Sequence, residues 1–149
     1  MLFQWTALRA GQFRLLKQRR PLPDGQLSYE LQTASIGAVP LYAVVAYAPT
    51  VAPKDHPVLV NGRTMTVSKH THAALKEVSN LGEHDLIWID CLSIHESDTG
   101  EKTRQEEVSA RIYGAAECIY ICQDPDADAA LKLPAVNTKK RVLLLRAAL

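Results

Sequence analysis

Several chemically capable side chains cluster in one short stretch of the sequence. Asp90 directly follows the apolar run Ile87-Trp88-Ile89, His95 lies in the polar segment beyond it, and Glu101 and Gln105 open a helical pattern. A carboxylate at the end of an apolar run is an ionisable group where buried structure meets solvent. A loop histidine such as His95 can serve as a general acid or base. This stretch is therefore the candidate site.

The elements around these side chains can be read from their pattern. Ile87-Trp88-Ile89 is typical of a strand covered on both faces. Residues 91–100 form a polar loop with three candidate helix N-caps, Ser97, Asp98 and Thr99. A helix is expected from about Glu101. One face of this helix carries residues spaced by three and four, namely Gln105, Val108, Ile112 and Ala115 or Ala116.

Strand ends and helix starts converge in an open α/β sheet, and ligands usually bind in the crevice between them. Glu101 and Gln105 continue the buried stripe of the helix towards the end of the strand that carries Asp90. A ligand site in this crevice is the working hypothesis.

Each of these residues also has a structural interpretation. Asp90 could cap or hydrogen-bond the following loop, and Glu101 could simply complement the helix dipole. Gln105 could be a satisfied polar residue beneath the loop, and His95 could be inert. Tyr42 and Tyr47 fit packing residues with a hydroxyl at the rim, and Trp88 fits the core.

Composition narrows the classes of function. The chain has 149 residues, is 47% hydrophobic and carries a formal net charge of +1, which fits one globular domain over residues 1–149. This charge gives no reason to expect nucleic acid as a partner. There is no signal-peptide pattern and no apolar run of membrane-spanning length, so we expect a soluble cytoplasmic protein without a membrane partner.

The metal-binding residue types are poorly placed for a shared ion. Cys91, Cys118 and Cys122 lack the spacing of a zinc site, and their odd number argues against a disulfide scaffold. His70 and His72 are two positions apart on a predicted helix and therefore diverge. We predict no metal site and no bound cofactor.

The remaining chain predicts further elements. Strands are expected at 13–17, at 42–47 in the sheet interior and at 118–122, where both cysteines point to one side. Residues 28–36 are expected to be extended or irregular. Asn61-Gly62 between two β-rich runs predicts a type I′ hairpin, and Ser68 should cap a helix that ends near Gly82. Residues 124–134 fit an Ala-rich helix or loop, and 141–146 fit a strand or a helix.

Together these elements predict an α/β fold with a mostly parallel sheet, flanking helices and an attached β-hairpin. The segment from residue 86 to residue 122 reads as strand, loop, helix and strand. Its connection is long enough for a right-handed parallel crossover.

The same positions resemble the heterokaryon incompatibility (HET) domain family, found mainly in fungi. Ile87-Trp88-Ile89-Asp90 resembles the Trp-Ile-Asp strand of the family. The helical residues that follow it in register are Asp98, Glu101-Lys102, Gln105, Ile112-Tyr113 and Ala116. Upstream, the match includes Phe13-Arg14-Leu15-Leu16, Tyr42, Tyr47, Val60-Asn61-Gly62, Val67 and Ala74-Leu75. The resemblance covers residues 13–122.

Some positions depart from the family pattern. Ala43, Ala46 and Pro49-Thr50 replace the usual Glu, Ser and Trp-Gly of the tyrosine-bearing strand. Ser93-Ile94-His95-Glu96 replaces a Cys-Ile-Asn-Gln loop, and Glu106 replaces a valine. Most of these changes lie near the predicted crevice, whereas the framework positions are kept.

The resemblance implies a role in fungal nonself recognition and regulated cell death. HET domains are thought to be similar to TIR domains, so a TIR/flavodoxin-like fold is implied, and some TIR domains cleave the glycosidic bond of NAD⁺ with a glutamate. By this resemblance Glu101 and Asp90 are the candidate catalytic residues, and the candidate ligand-binding residues are Tyr47, His95, Asp98 and Gln105.

Two hypotheses remain open at this point. The first is an effector domain that hydrolyses NAD⁺ as a substrate after self-association. The second is a degenerate module that binds a protein partner or a nucleotide without turnover. Retained Asp90, Glu101 and Gln105 favour the first hypothesis, and the altered segments 43–46 and 93–96 favour the second.

Overall fold

The computed structural model describes residues 5–47, 53–123 and 141–146. Its elements, in chain order, are β1 Gln12–Gln18, β2 Ser28–Ser35, β3 Ala43–Tyr47, β4 Lys54–Val60, β5 Arg63–Ser68, α1 Lys69–Leu81, β6 Leu86–Trp88, α2 Asp90–Ser93, α3 Thr99–Ala115, β7 Cys118–Gln123 and β8 Arg141–Arg146. The strands form one sheet in the order β5-β4-β2-β1-β6-β3-β7-β8. The α/β class predicted from the sequence is confirmed.

The sheet is mixed rather than uniformly parallel. Its β6-β3-β7-β8 half is parallel throughout. In the other half, β1 is antiparallel to both β2 and β6, β4 is antiparallel to β5, and only β2 and β4 run parallel. The expectation of a mostly parallel sheet therefore fits one half of the sheet, because the short β1–β2 and β4–β5 connections allow only antiparallel neighbours.

The predicted order of strand, loop, helix and strand is found from Leu86 to Gln123, except that the first part of the predicted loop forms the short helix α2. However, β6 and β7 do not pair with each other, because β3 lies between them and is parallel to both. The apolar residues of β3 are buried on both faces, as predicted for an interior strand. The central position of β3 places its carboxyl end between those of β6 and β7.

Two apolar cores lie on opposite faces of the sheet. Helix α1 packs against one face of the sheet through Ala74, Leu75 and Val78. Cys118 and Cys122 of β7 belong to the core on this same face. Helix α3 covers the other face through Ile112. The shared side of the two cysteines is thus confirmed, since alternate residues of a strand point to opposite faces.

The hairpin between β4 and β5 forms at the predicted place. Asn61 and Gly62 have φ values of 54° and 75°, which a type I′ turn requires at both central positions. The side-chain Oδ1 of Asn61 also accepts a hydrogen bond from the Leu31 amide at 2.9 Å. The turn residue therefore fastens the hairpin to the neighbouring strand β2.

Helix α1 has the predicted caps. The Ser68 hydroxyl oxygen accepts a hydrogen bond from the Thr71 amide at 3.2 Å, and Gly82 ends the helix with φ of 62°. The amide of Gly82 donates to the carbonyl of Val78 at 3.3 Å. This left-handed cap favours glycine because it has no Cβ.

Three segments had an open or weak prediction. Residues Ser28–Ser35 form a full strand paired along the length of β1, although only Tyr29 is buried, which explains the weak alternation. Residues 141–146 form strand β8, and the prediction for 124–134 lies outside the described residues.

Among the helices that the structure describes, none has the length and apolar character needed to cross a membrane.

Candidate functional site

Three side chains meet where strands β3 and β6 end. Tyr47 is the last residue of β3, and Asp90 and Cys91 begin the short helix α2 just beyond β6. The Tyr47 hydroxyl makes side-chain hydrogen bonds with both Asp90 and Cys91. Parallel pairing of β3 and β6 brings these strand ends together, so residues far apart in sequence share one site.

The carboxyl group of Asp90 is costly to ionise. Burial raises its pKa above the usual range, and this effect outweighs the Tyr47 hydrogen bond, the Cys91 amide and the charges of Lys54 and Lys102. A raised pKa in a cleft is typical of acids and bases that take part in chemistry. Asp90 is therefore suited to exchange a proton or to face a developing positive charge.

The neighbouring thiol has no such role. Burial and the adjacent Asp90 charge raise the pKa of Cys91 to about 12. The thiolate is the reactive form of cysteine, so at neutral pH this side chain remains a protonated packing group. Of these two neighbouring groups, Asp90 is therefore the candidate for chemistry.

A cavity of about 170 Å³ opens beside Asp90, between β6 and helix α3. We refer to it as the α3 cleft. It is lined by Trp88, Asp90, Ile94, Glu96, Lys102, Gln105, Glu106, Ser109 and Tyr113. The apolar wall comes from the strand, and the polar and charged groups come mainly from α3, as is usual for small-molecule sites.

Three residues of the α3 cleft have buried polar atoms without a hydrogen-bond partner among the described residues. They are Nε1 of Trp88, Oδ1 of Asp90 and Oε1 of Gln105. The other amide atom of Gln105, Nε2, donates to the Gln12 carbonyl at 3.0 Å, which fixes its side chain. Buried polar groups are nearly always paired, so one donor and two acceptors on residues that line one cavity make this cavity the candidate ligand-binding site.

An aromatic pair forms the back of the cleft. The rings of Trp88 and Tyr113 are 5.8 Å apart in an edge-on arrangement. Burial and the nearby Asp90 charge raise the pKa of Tyr113 to about 12, so its hydroxyl stays protonated. Trp88 is 3% exposed and belongs to the core, as expected, and it also lines the cleft.

Glu101 lies in a different environment from Asp90. Its two carboxylate oxygens accept hydrogen bonds from Arg14 of β1 at 2.6 and 2.8 Å, in a bidentate ion pair that is almost completely buried. The His95 amide adds a third hydrogen bond at 2.6 Å. All of these partners bind the ionised carboxylate, and such pairs are among the strongest polar contacts in proteins.

Further contacts fasten this ion pair to the N-terminal segment. Arg14 also donates to the carbonyls of Thr6 and Ser93 at 2.6 and 3.2 Å. Its guanidinium lies 4.8 Å from the ring centre of Trp5, and that ring stacks on His95 with the centroids 5.0 Å apart. We call the group of Trp5, Arg14, His95 and Glu101 the arginine anchor.

The electrostatics of the arginine anchor oppose those of Asp90. Burial raises the pKa of Glu101, but the Arg14 hydrogen bonds, the His95 amide and the positive charge of Arg14 together bring it below its usual range. The carboxylate is thus held ionised and fully bound. Through Arg14 and the His95 amide, Glu101 joins helix α3 to strand β1 and to the loop before the helix.

Asp98 serves the start of helix α3. Its Oδ1 accepts a hydrogen bond from the Glu101 amide at 3.1 Å, and this contact is the main cause of its lowered pKa. The side chain is exposed. Of the three candidate N-caps in the sequence, Asp98 is therefore the one used.

Comparison with known proteins identifies the family. The family described as "Heterokaryon incompatibility protein (HET)" matches residues 27–144. The chain belongs to the HET family. The match begins later than the resemblance over 13–122 and extends into β8. No curated protein and no solved structure matches the chain.

In this HET domain the predicted site residues separate into two groups. Asp90 and Gln105 line the α3 cleft, and Tyr47 contacts Asp90. Glu101 and His95 belong to the arginine anchor, while Asp98 caps α3 at the surface. Glu101 therefore faces β1, whereas Gln105, one turn later, contacts β1 through its Nε2 and also lines the cleft.

Most residues that line the α3 cleft were not among the predicted site residues. Trp88 fitted the core, and Tyr113 and Lys102 were noted only within the family resemblance and were not predicted to line a cleft. Arg14 also escaped notice, although an arginine within the apolar run Phe13-Arg14-Leu15-Leu16 was a usable signal. A charge in a buried strand requires a charged partner.

Among the described residues no group of three or more metal-ligating side chains is present.

Proposed function

We propose that this HET domain acts in the fungal cytoplasm as an effector of nonself recognition and regulated cell death. Membership in the HET family indicates a role in heterokaryon incompatibility. The effector activity we infer is hydrolysis of NAD⁺ in the α3 cleft after the domain associates with copies of itself. The observation that carries this proposal is the set of three unpartnered buried atoms around the cleft, on Trp88, Asp90 and Gln105.

The strand order supports a TIR/flavodoxin-like arrangement for the parallel half of the sheet. Counted along the chain, β3, β6, β7 and β8 are the first to fourth strands of this half, so the order β6-β3-β7-β8 reads 2-1-3-4. Flavodoxin-like sheets begin with the same order and bind their ligand beyond the carboxyl ends of the strands. Tyr47 and Asp90 lie at that edge.

Cleavage of NAD⁺ breaks the bond between ribose C1′ and the nicotinamide nitrogen. Nicotinamide leaves as a neutral molecule with the electron pair of that bond, and C1′ becomes an oxocarbenium-like centre. The ionised carboxylate of Asp90 would stabilise this charge, and water would add to C1′ and lose its proton to Asp90 or to solvent. The products are ADP-ribose, nicotinamide and a proton.

The other polar groups of the cleft suit binding and orientation. The Trp88 N–H can donate to a carbonyl or hydroxyl oxygen of the ligand, and Oε1 of Gln105 can accept from an amide or a hydroxyl. Tyr47 holds Asp90 in place through its hydroxyl. Glu101 acts in this proposal as a positioning residue, because its carboxylate is occupied by Arg14 and the His95 amide.

The test is NAD⁺ consumption by the purified full chain, clustered on an oligomeric scaffold. We expect the wild type to release nicotinamide and the Asp90→Asn variant to lose this activity. Asp85→Asn is the matched control, because Asp85 is exposed just before the opposite end of the same strand. Equal turnover by wild type and Asp90→Asn would remove Asp90 from the mechanism, and absence of turnover in the clustered wild type would reject hydrolysis.

A non-catalytic HET module is the second candidate function. The observation in its favour is the engagement of Glu101, which leaves Asp90 as the carboxylate that lines the cleft with an unpartnered oxygen among the described residues. Such a module would bind a nucleotide or a protein partner in the same place. Calorimetric binding of NAD⁺ or ADP-ribose that is lost in Gln105→Leu, without any product, would support this alternative.

A further inference from the structure

A second cavity lies on the opposite side of the sheet from the α3 cleft. Its volume is about 390 Å³, and it is lined by His56, Lys69, His72, Ala73, Lys76, Glu77 and Asn80. We name it the histidine groove. Apart from His56 of β4, its lining comes from helix α1, which packs on the other face of the sheet from α3. The groove therefore has no part in the reaction proposed for Asp90.

Positive side chains are aligned along the groove. Lys69, His72 and Lys76 are spaced by three and four positions, so they lie on one face of α1. The first turn of α1 has no acidic residue, although the positive end of a helix dipole favours acids and disfavours cations. This arrangement costs the helix stability, and the apolar packing of α1 does not require it.

The two histidines add ionisable rings to the same place. The rings of His56 and His72 have centroids 5.4 Å apart, and Nδ1 of His56 contacts the Asp55 carboxylate at 2.8 Å. Burial, then the charges of His56 and Lys76, lower the pKa of His72. The neighbouring acids are Asp55, which is engaged by His56, and Glu77 in the wall. An anion in the groove would relieve this repulsion.

We propose that the histidine groove binds a phosphorylated small molecule through its phosphate group. Lys69 and Lys76 would supply ammonium donors, and His56 and His72 would supply ring N–H donors. The two lysine charges match those of a doubly ionised phosphate, the two histidine rings add N–H donors, and hydrogen bonds between charged partners are strong. The volume of the groove fits a small molecule, while the net charge of +1 on the chain argues against general attraction to polyanions.

The binding should depend on pH in a defined direction. A bound phosphate stabilises the protonated histidines, so binding takes up protons and raises the pKa of His72 from its lowered value in the free protein. The affinity for the doubly ionised form of the phosphate should therefore be higher at about pH 6 than at about pH 8. Lys69 and Lys76 keep their charge over this range and should retain part of the affinity.

The experiment is titration of the full chain with inorganic phosphate and pyrophosphate, followed by NMR of the histidine ring protons and by the melting temperature. We expect saturable shifts of the His56 and His72 rings and a raised Tm. Sodium chloride at equal ionic strength should produce neither. Lys76→Gln should weaken binding by about tenfold, because it removes one charged donor.

Arg20→Gln provides the control, since Arg20 is an exposed cation outside the groove. It should leave phosphate binding unchanged. His72→Gln tests the histidine contribution, and the exposed Lys76 keeps the test valid if His72→Gln fails to fold. Equal effects of Lys76→Gln and Arg20→Gln, equal shifts with chloride, or no saturable shift with either phosphate probe would overturn the proposal.

Discussion

The two carboxylates on either side of the polar loop differ in how they are bound. Glu101 in the arginine anchor has both oxygens occupied by a buried arginine and a backbone amide, and its pKa is lowered. Asp90 in the α3 cleft has one buried oxygen without a partner among the described residues, and its pKa is raised. The fully bound carboxylate of Glu101 fits a structural role, and the incompletely bound carboxylate of Asp90 is the candidate for contact with a ligand.

The largest effect is expected at the arginine anchor. Glu101→Gln leaves the buried Arg14 guanidinium without its counter-charge, so the free energy of unfolding should fall by about 3–5 kcal/mol. Urea denaturation measures this loss. The exposed pair Arg19–Glu30 supplies the control, and Glu30→Gln should cost less than about 1 kcal/mol. Similar losses in the two variants would show that the anchor contributes no more than a surface pair.

Tyr47→Phe tests the support of Asp90 from β3. The change removes the hydroxyl that hydrogen-bonds to the carboxylate and leaves the packed ring in place, so we expect a loss of about 2 kcal/mol in unfolding free energy. The pKa of Asp90 should rise further, which carboxylate NMR can follow. Tyr113→Phe is the comparison, because the Tyr113 hydroxyl is not among the groups that hydrogen-bond Asp90. An unchanged Asp90 pKa would contradict this role of Tyr47.

Asp90→Asn should raise the free energy of unfolding, in contrast to Glu101→Gln and Tyr47→Phe. It removes a carboxylate that is costly to ionise while keeping its shape, so the domain should become more stable by about 1 kcal/mol at neutral pH. Ligand binding or turnover should be lost in the same variant. Thermal unfolding and the nicotinamide assay, made on one preparation, give both readouts. A destabilised Asp90→Asn protein would place Asp90 among the structural residues.

The smallest expected effect is on the pH dependence of stability, to which Glu101 and Asp90 should contribute in opposite directions. The pKa of Glu101 is lowered in the folded protein. Its contribution to the free energy of unfolding is therefore complete above the unfolded pKa of about 4.3 and is lost as the pH falls through the folded pKa. The pKa of folded Asp90 is raised, so its penalty grows as the pH rises from about 3.9 to its folded value.

Urea denaturation of the wild type and both variants between about pH 3 and pH 7 measures these opposite trends. The stability gap between wild type and Glu101→Gln should narrow in acid. The gap between wild type and Asp90→Asn should open as the pH rises. Parallel curves for all three proteins would mean that neither carboxylate has a pKa shifted by folding.

Local signals predicted much of this fold. Asn61-Gly62 specified its turn because both residues need positive φ, and Ser68 and Gly82 specified the ends of α1. The parallel arrangement was overestimated, because strand order depends on contacts between distant segments. Pairing of β1 with β6, for example, joins Leu16 to Ile87.

The positions of some candidate residues were predicted, but their contacts were not. The sequence placed Asp90, Gln105 and Tyr47 beside one crevice, and in the structure Asp90 and Gln105 line the α3 cleft while Tyr47 contacts Asp90. The division of roles between Asp90 and Glu101 could not be predicted, because it depends on which carboxylate the distant Arg14 reaches. Helical spacing alone does not distinguish a side chain that faces β1 from one that faces a cleft.

The link between β1 and α3 also bears on how the chain folds. Arg14 and Glu101 are 87 residues apart, and the neighbouring strands β1 and β6 are joined only after most of the domain has been synthesised. Contacts of such long sequence separation slow folding, because the entropy of closing a large loop is lost before they form. During synthesis on the ribosome, Arg14 of β1 therefore has no counter-charge until the part of α3 that carries Glu101 has been made.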